Sequence, residues 1–176
     1  MSGHSHWAGI KHQKGIADAR RGQLFSKLLT AITAAAKTES NPEFNPRLKT
    51  AITKARDSKV PADNIARAVK RASEAAANLE ELLLAAYGPG GVAILIEVVT
   101  DSHNRTISEV KKILSDHAGK WAETGTVLWA FKLTPERSLR AKFPQEISAT
   151  DRAKLAVLVA ALAAHADVQE VYTNAV

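Results

Sequence analysis

The sequence predicts an α+β protein, with a basic three-helix domain at the N-terminal end followed by an α+β sandwich built on a mainly antiparallel sheet. Three observations carry that reading. Apolar residues in the first seventy positions recur at helical spacing and are interrupted only at prolines; a β-branched run, VAILIEVVT, follows a GPGG turn; and strand and helix patterns then alternate to the C-terminus. The charge divides in the same place. Met1–Arg71 carries 14 Lys/Arg against 5 Asp/Glu, a net of +9, whereas Ala72–Val176 carries 10 against 13, a net of −3.

Taken in order, residues 1–15 read as a flexible arm, MSGHSHWAGIKHQKG with no apolar stripe. Leu24, Phe25, Leu28, Leu29 and Ile32 then define a helix from about Ala17 to Lys37. The SNPEFNP stretch ends it, because each proline restricts the residue before it. Asn45 followed by Pro46 suits an N-cap and first turn for a second helix with Leu48, Ile52 and Ala55 inward. A third helix runs from Pro61, with Ile65, Ala68, Val69 and Ala72 inward. For NLEELLLAAYG local signals leave two options. Propensity favours a helix capped by Asn78, whereas Pro89 and Gly90 suit the centre of a type II turn that would pair the segment with VAILIEVVT as a hairpin. Asn104 caps a helix through His117, stopped by Gly119, with Ile107, Val110, Ile113 and Leu114 inward; TGTVLWAF reads as a strand. About 133–150 is expected to be an irregular connector, DRAKLAVLVAALAAHA a helix and VQEVYTN a closing strand. The expected domains are 1–77, helical and basic, and 78–176, α+β.

The 176-residue chain has no cysteine, which excludes disulfides, thiolate catalysis and Cys-type zinc sites. No apolar run is long enough for a bilayer and no signal-like start is present, so a soluble, cytoplasmic or organellar monomer with no membrane partner is expected.

Catalytic motifs are weak. Asp101, Ser102 and His103 are adjacent in TDSHNR, whereas a triad draws its members from separate elements that converge in space. GPGG lacks the spacing and the lysine of a phosphate loop. No acid–base pair stands out, so no enzyme activity and no cofactor are expected. His4, His6 and His12 fall short of the four ligands of a structural zinc site. Removal of Met1 would leave Ser2-Gly3-His4 at the terminus, whose amine, two backbone nitrogens and His4 imidazole suit adventitious Cu(II) or Ni(II).

Nucleic-acid contact is the reading the charges favour. Lys11, His12 and Lys14 with Trp7 offer cations for phosphate and rings for stacking on an unpaired base. Arg20, Arg21 and Lys27 extend this along the first helix, and Arg47, Lys54, Arg67, Lys70 and Arg71 along the second and third, with few acids between them.

Four stretches, GHSHWAGIKHQKGIADARRGQLFSKL, NPRLKTAITKARDSKVPADNIARAVKRA, YGPGGVAILIEVVTDSHNRTISEVKKIL and DVQEVYTNAV, closely resemble the YebC family in collinear order. That family includes the mitochondrial translational activator of cytochrome oxidase. The resemblance implies a helical N-terminal domain with α+β domains after it, and it tips LEELLLAAYG toward a strand. It also implies a non-enzymatic regulator: a ribosome-associated translation factor contacting rRNA or tRNA and ribosomal proteins or, alternatively, a transcriptional regulator on duplex DNA. A third alternative is a protein-interaction module without nucleic-acid binding. The chain departs from the family in two respects. Relatives usually carry Lys at the positions of His6, Gln23 and Ala62 and Arg at that of Gln13, so this surface has lost cations. A whole α+β domain that relatives insert before the last helix is replaced here by about twenty residues.

Overall fold

In a computed structural model of the protein, residues 3–73, 78–135 and 138–176 are described, with side chains from Lys14 onward except that of Ser73. Three helices come first: α1 (Gly3–Ala36), α2 (Pro46–Asp57) and α3 (Ala62–Ser73). Strands β1 (Glu80–Tyr87) and β2 (Ala93–Thr100), helix α4 (His103–Asp116), strand β3 (Lys120–Ala122), the one-turn α5 (Thr124–Val127), strands β4 (Phe131–Leu133) and β5 (Leu139–Ala141), helix α6 (Ala149–Ala164) and strand β6 (Val168–Thr173) follow.

The expected arm is instead helical, because α1 begins at Gly3 and no proline interrupts the chain before Pro42. Among the described side chains of α1, those of its C-terminal part enter a core, where Ile32, Ala35 and Ala36 meet Leu48, Ile52 and Ala55 of α2 and Ile65 and Ala68 of α3. Asn45 closes this junction as predicted. Its Oδ1 accepts the Leu48 amide at 3.0 Å, while its Nδ2 donates to the carbonyls of Ala35 (2.9 Å) and Glu39 (2.7 Å).

The main sheet has the order β3-β1-β2-β6 and every neighbouring pair is antiparallel. EELLLAAY is therefore a strand, paired along its length with β2. Pro89 and Gly90 make the expected turn: Gly90 has φ 75° and ψ 9°, and the Gly91 amide donates to the Gly88 carbonyl at 3.0 Å. One sheet face, with Leu84, Ile94, Ile96 and Val98, packs on Val110 and Leu114 of α4 and on Leu155, Leu158 and Leu162 of α6. The other face, with Ala85, Ala93 and Leu95, is covered by Val127, Ala130 and Phe131.

Three expectations for this half need correction. TGTVLWAF is a turn of α-helix and a 3₁₀ turn before β4, since its buried residues Val127, Ala130 and Phe131 follow i, i+3, i+4 spacing rather than alternation. The supposed connector holds the β4–β5 hairpin, with Lys132 opposite Arg140. The N-cap position of α4 is Ser102, not Asn104, and the left-handed residue after the helix is Ala118 (φ 58°). A Cβ on Gly119 would stand 2.8 Å from a Leu114 methyl, so this glycine serves close packing against α4.

Candidate nucleic-acid interface

Helices α1 and α3 are held side by side by Thr33, whose hydroxyl lies 3.1 Å from the Ala68 carbonyl of α3 and from the Leu29 carbonyl of its own helix. A cleft of about 980 Å³ runs beside this joint. Asn64, Arg67, Lys70 and Arg71 of α3 line it opposite Ser26, Thr30 and Thr33 of α1, and Leu79 and Asp101 close its far side. Helical spacing places Asn64, Arg67 and Arg71 on one stripe, next to the buried stripe of Ile65, Ala68 and Ala72. Arg67 donates to the Asn64 side-chain oxygen, and Asp101 already accepts from Arg105 at 3.1 Å. The α3 side of this concave site is therefore cationic.

The remaining predicted contacts divide. Lys14, Arg20 and Arg21 are exposed on α1, Arg21 lying over the Phe25 ring with its guanidinium carbon 5.3 Å from the centroid. Lys27 stands apart from these. It is half-buried and donates its Nζ to the Ala163 carbonyl, while Gln23 donates to the Ala164 carbonyl at 2.7 Å. The two side chains thus satisfy orphan carbonyls in the last turn of α6. Burial pushes the Lys27 pKa down, and the Asp167 charge opposes that shift.

Arg47 and Lys54 are exposed on α2, the Arg47 side chain by 58%. They line a second cleft of about 440 Å³ between α1–α2 and the sheet, where Arg47 pairs with Glu81 and Lys54 faces Glu97. Burial raises the Glu97 pKa against the pull of Lys54. Burial and the Glu97 charge push the Tyr172 hydroxyl up to about 12. The side chains of Trp7, Lys11 and His12, and of His4 at the suggested copper site, lie outside the described residues.

Asp101, Ser102 and His103 do not converge, since Asp101 pairs with Arg105 and His103 lies 3.4 Å from Glu80. Glu109, His165 and Asp167 bring ligand-type atoms within 4.8 Å of one another. The Arg105 guanidinium, 2.8 Å from Asp167, already supplies the positive charge there. Sequence reasoning missed Thr33 and Asn64, and it read Gln23 only as a lost surface cation, not as a tie to α6. Only Asn64 carried a local signal, three and seven residues before Arg67 and Arg71.

Comparison with known proteins gives a consistent picture. Residues 5–75 match a family model described as the TACO1/YebC protein N-terminal domain, and residues 79–135 one described as the TACO1/YebC second and third domain. A probable transcriptional regulatory protein of Koribacter versatilis is 49% identical over 133 residues, 74% of this chain and 54% of that protein. One of Treponema denticola is 52% identical over 134 residues, again 74% and 54%. The chain spans about half the length of the curated relatives it matches. The crystal structure of a conserved hypothetical protein from Aquifex aeolicus superposes with a TM-score of 0.80 at 27% identity, covering 90% of this chain and 91% of that one.

Proposed function

The chain belongs to the TACO1/YebC family, and from that premise we propose that it is a nucleic-acid-binding regulatory factor that works by binding rather than by catalysis. The helical part, residues 1–77, is the contact domain, and 78–176 orients it. The observation that carries this is the concave cationic wall of Asn64, Arg67, Lys70 and Arg71 facing the hydroxyls of α1. A concave wall receives a strand or a bulged loop, whereas reading the duplex major groove calls for a protruding helix. The reading is therefore a translation-type factor on structured RNA such as rRNA or tRNA, with ribosomal protein as the neighbour of the sheet domain.

A second reading, a regulator on duplex DNA, is favoured by one specific feature. Only residues 58–61 separate α2 from α3, with Lys59 left-handed at φ 64°, and a short turn of this kind joins the helices of a helix-turn-helix. It also agrees with the names that the relatives carry. Fluorescence anisotropy of the full chain against a labelled RNA hairpin with an unpaired loop and a DNA duplex of equal length, at two salt concentrations, separates the two. Arg67→Glu with Arg71→Glu is expected to weaken RNA binding about ten-fold or more and to flatten the salt dependence by roughly 0.7 log unit per lost contact. Unchanged RNA affinity removes the cleft from the interface. Tighter binding to the duplex, lost in the same variant, selects the second reading.

A further inference from the structure

We propose that the β4–β5 hairpin carries a second nucleic-acid contact, a stacking platform for unpaired bases formed by Trp129 and Phe143 and flanked by Lys132, Arg140 and Lys142. The proposal extends the nucleic-acid reading to the sheet domain and rests on it.

Two of the chain's few aromatic side chains are spent here on solvent, Trp129 being 56% exposed and Phe143 50%. They are nevertheless held in place. The Trp129 indole N–H donates to the Thr126 carbonyl at 2.9 Å, and the two ring centroids stand 5.7 Å apart with their planes tilted by 37°. The backbone behind Phe143 is tied to the sheet by Asn174, only 2% exposed. Its Nδ2 donates to the Phe143 carbonyl at 2.9 Å and its Oδ1 accepts the Ala93 amide at 2.8 Å. Asn174 is thus a positioning residue for the platform.

The hairpin ladder sets the charges around these rings. Phe131 and Leu139 face the sheet core, so alternation turns Lys132 and Arg140 outward, directly opposite each other. The Lys142 amide continues the ladder to the Ala130 carbonyl at 2.7 Å, and the Lys142 ammonium sits 5.1 Å over the Phe143 ring. Like charges paired across a ladder repel. Among the described residues no carboxylate forms an ion pair with any of the three.

Preorganised rings among cations that no described carboxylate balances fit one ligand chemistry best: flat bases joined by phosphates. A protein partner seated on the rings would bury ammonium and guanidinium groups and would have to supply the missing acids. Bases inside a duplex cannot present their faces, so the strand must be unpaired.

The test uses the full chain and a labelled 15-nucleotide oligouridine in anisotropy and tryptophan-quenching titrations. Trp129→Leu with Phe143→Leu is expected to weaken binding about ten-fold and to remove most of the quenching, leaving the salt slope unchanged. Trp129→Phe with Phe143→Tyr, which keeps two rings, is expected to restore affinity to within about three-fold. Lys132→Glu with Arg140→Glu is expected to weaken binding and flatten the salt slope. Circular dichroism identifies a variant that has lost its fold, in which case the ring-retaining and charge variants decide. If both the Leu pair and the Glu pair bind oligouridine within two-fold of the unaltered chain, the platform is refuted. Sedimentation showing a dimer that the Leu pair dissociates, with oligouridine binding unaffected, assigns the patch to a second copy and overturns it as well. Loss of binding only in Arg67→Glu/Arg71→Glu refutes the platform and leaves the helical cleft standing. Loss only in the ring variants does the reverse.

Discussion

Replacing Asp167 by Asn tests whether a single carboxylate locks α4 to the α6–β6 corner. Its Oδ2 accepts from Thr106 Oγ1 at 2.6 Å and from Arg105 Nη2 at 2.8 Å, and its side chain is 18% exposed. Thr106 is fully buried, and its hydroxyl also lies 2.8 Å from that of Thr100. Burial acts to raise the Asp167 pKa, but the hydrogen bonds from Thr106 and Arg105 and the Arg105 charge outweigh it, so the carboxyl titrates below the usual carboxylate range. A hydrogen bond to a charged group contributes roughly 1.5–3 kcal/mol, and an ion pair to a half-exposed arginine about 0–1 kcal/mol. Asparagine keeps an acceptor oxygen and loses the charge, so the expected cost at pH 7 is about 1–2 kcal/mol, or roughly 2–8 °C in Tm for a chain of this size. The sign follows from the lowered pKa. The stabilisation is fully present above the unfolded-state value of about 3.9 and is lost as pH falls through the folded-state value. Urea denaturation followed by tryptophan fluorescence is therefore expected to show a constant deficit between pH 5 and pH 7 that shrinks toward pH 3. Equal midpoints at pH 7, or a deficit undiminished at the lowest pH, would refute the reasoning.

Asn45→Ala removes an N-cap and leaves the Ala35 and Glu39 carbonyls without their amide donor, so urea midpoints are expected to report a loss of about 2–3 kcal/mol. Gly90→Ala forces a side chain into the left-handed region and sets its Cβ 2.9 Å from an Ile147 methyl, for an expected loss of at least about 1 kcal/mol in the same assay. Gln23→Ala with Lys27→Ala strips both side-chain donors from the last turn of α6. Amide exchange measured by mass spectrometry is expected to quicken over residues 160–168 and to stay unchanged in α2; equal exchange in both places would show that α1 does not brace α6.

What could be read from the sequence depended on how many sides of an element are covered. Helix α2 buries one stripe, Leu48, Ile52 and Ala55, and its cap is written locally as Asn-Pro, so pattern and chemistry agree. Strand β1 has Leu84 and Ala86 on the α4–α6 face and Ala85 on the Val127–Phe131 face, all buried. Two covered faces erase the period-2 signal, which is why helix and strand could not be separated there from local pattern. The strands β3, β4 and β5 have three residues each, too few to show any period. At the interface the cations were legible as composition, but their partners were not. Lys27 meets the Ala163 carbonyl across 136 positions in the chain, a contact that exists only once the helical part has docked on the sheet.

That docking bears on how much binding the charge asymmetry can support. Among the described residues, four ties run from cations or amides of the helical part to acceptors of the sheet part: Gln23 to the Ala164 carbonyl, Lys27 to the Ala163 carbonyl, Lys37 to the Leu79 carbonyl at 2.9 Å, and Arg47 to Glu81. The net of +9 in the first 71 residues is thus partly consumed inside the molecule. Of the predicted contacts with described side chains, Lys27 is half-buried and tied to α6, and Arg47 and Lys54, though exposed, stand beside the sheet carboxylates Glu81 and Glu97; Lys14, Arg20, Arg21, Arg67, Lys70 and Arg71 are exposed on the helical part. Six phosphate contacts give a salt slope of about −4 on single strands and about −5 on duplex, against about −6 to −8 for all nine. An RNA titration between 50 and 200 mM salt distinguishes these ranges. A slope near −4 that Lys27→Ala leaves unaltered supports the division drawn here, whereas a slope beyond −6 that flattens when Lys27 or Arg47 is replaced would mean that the helical part leaves the sheet to bind.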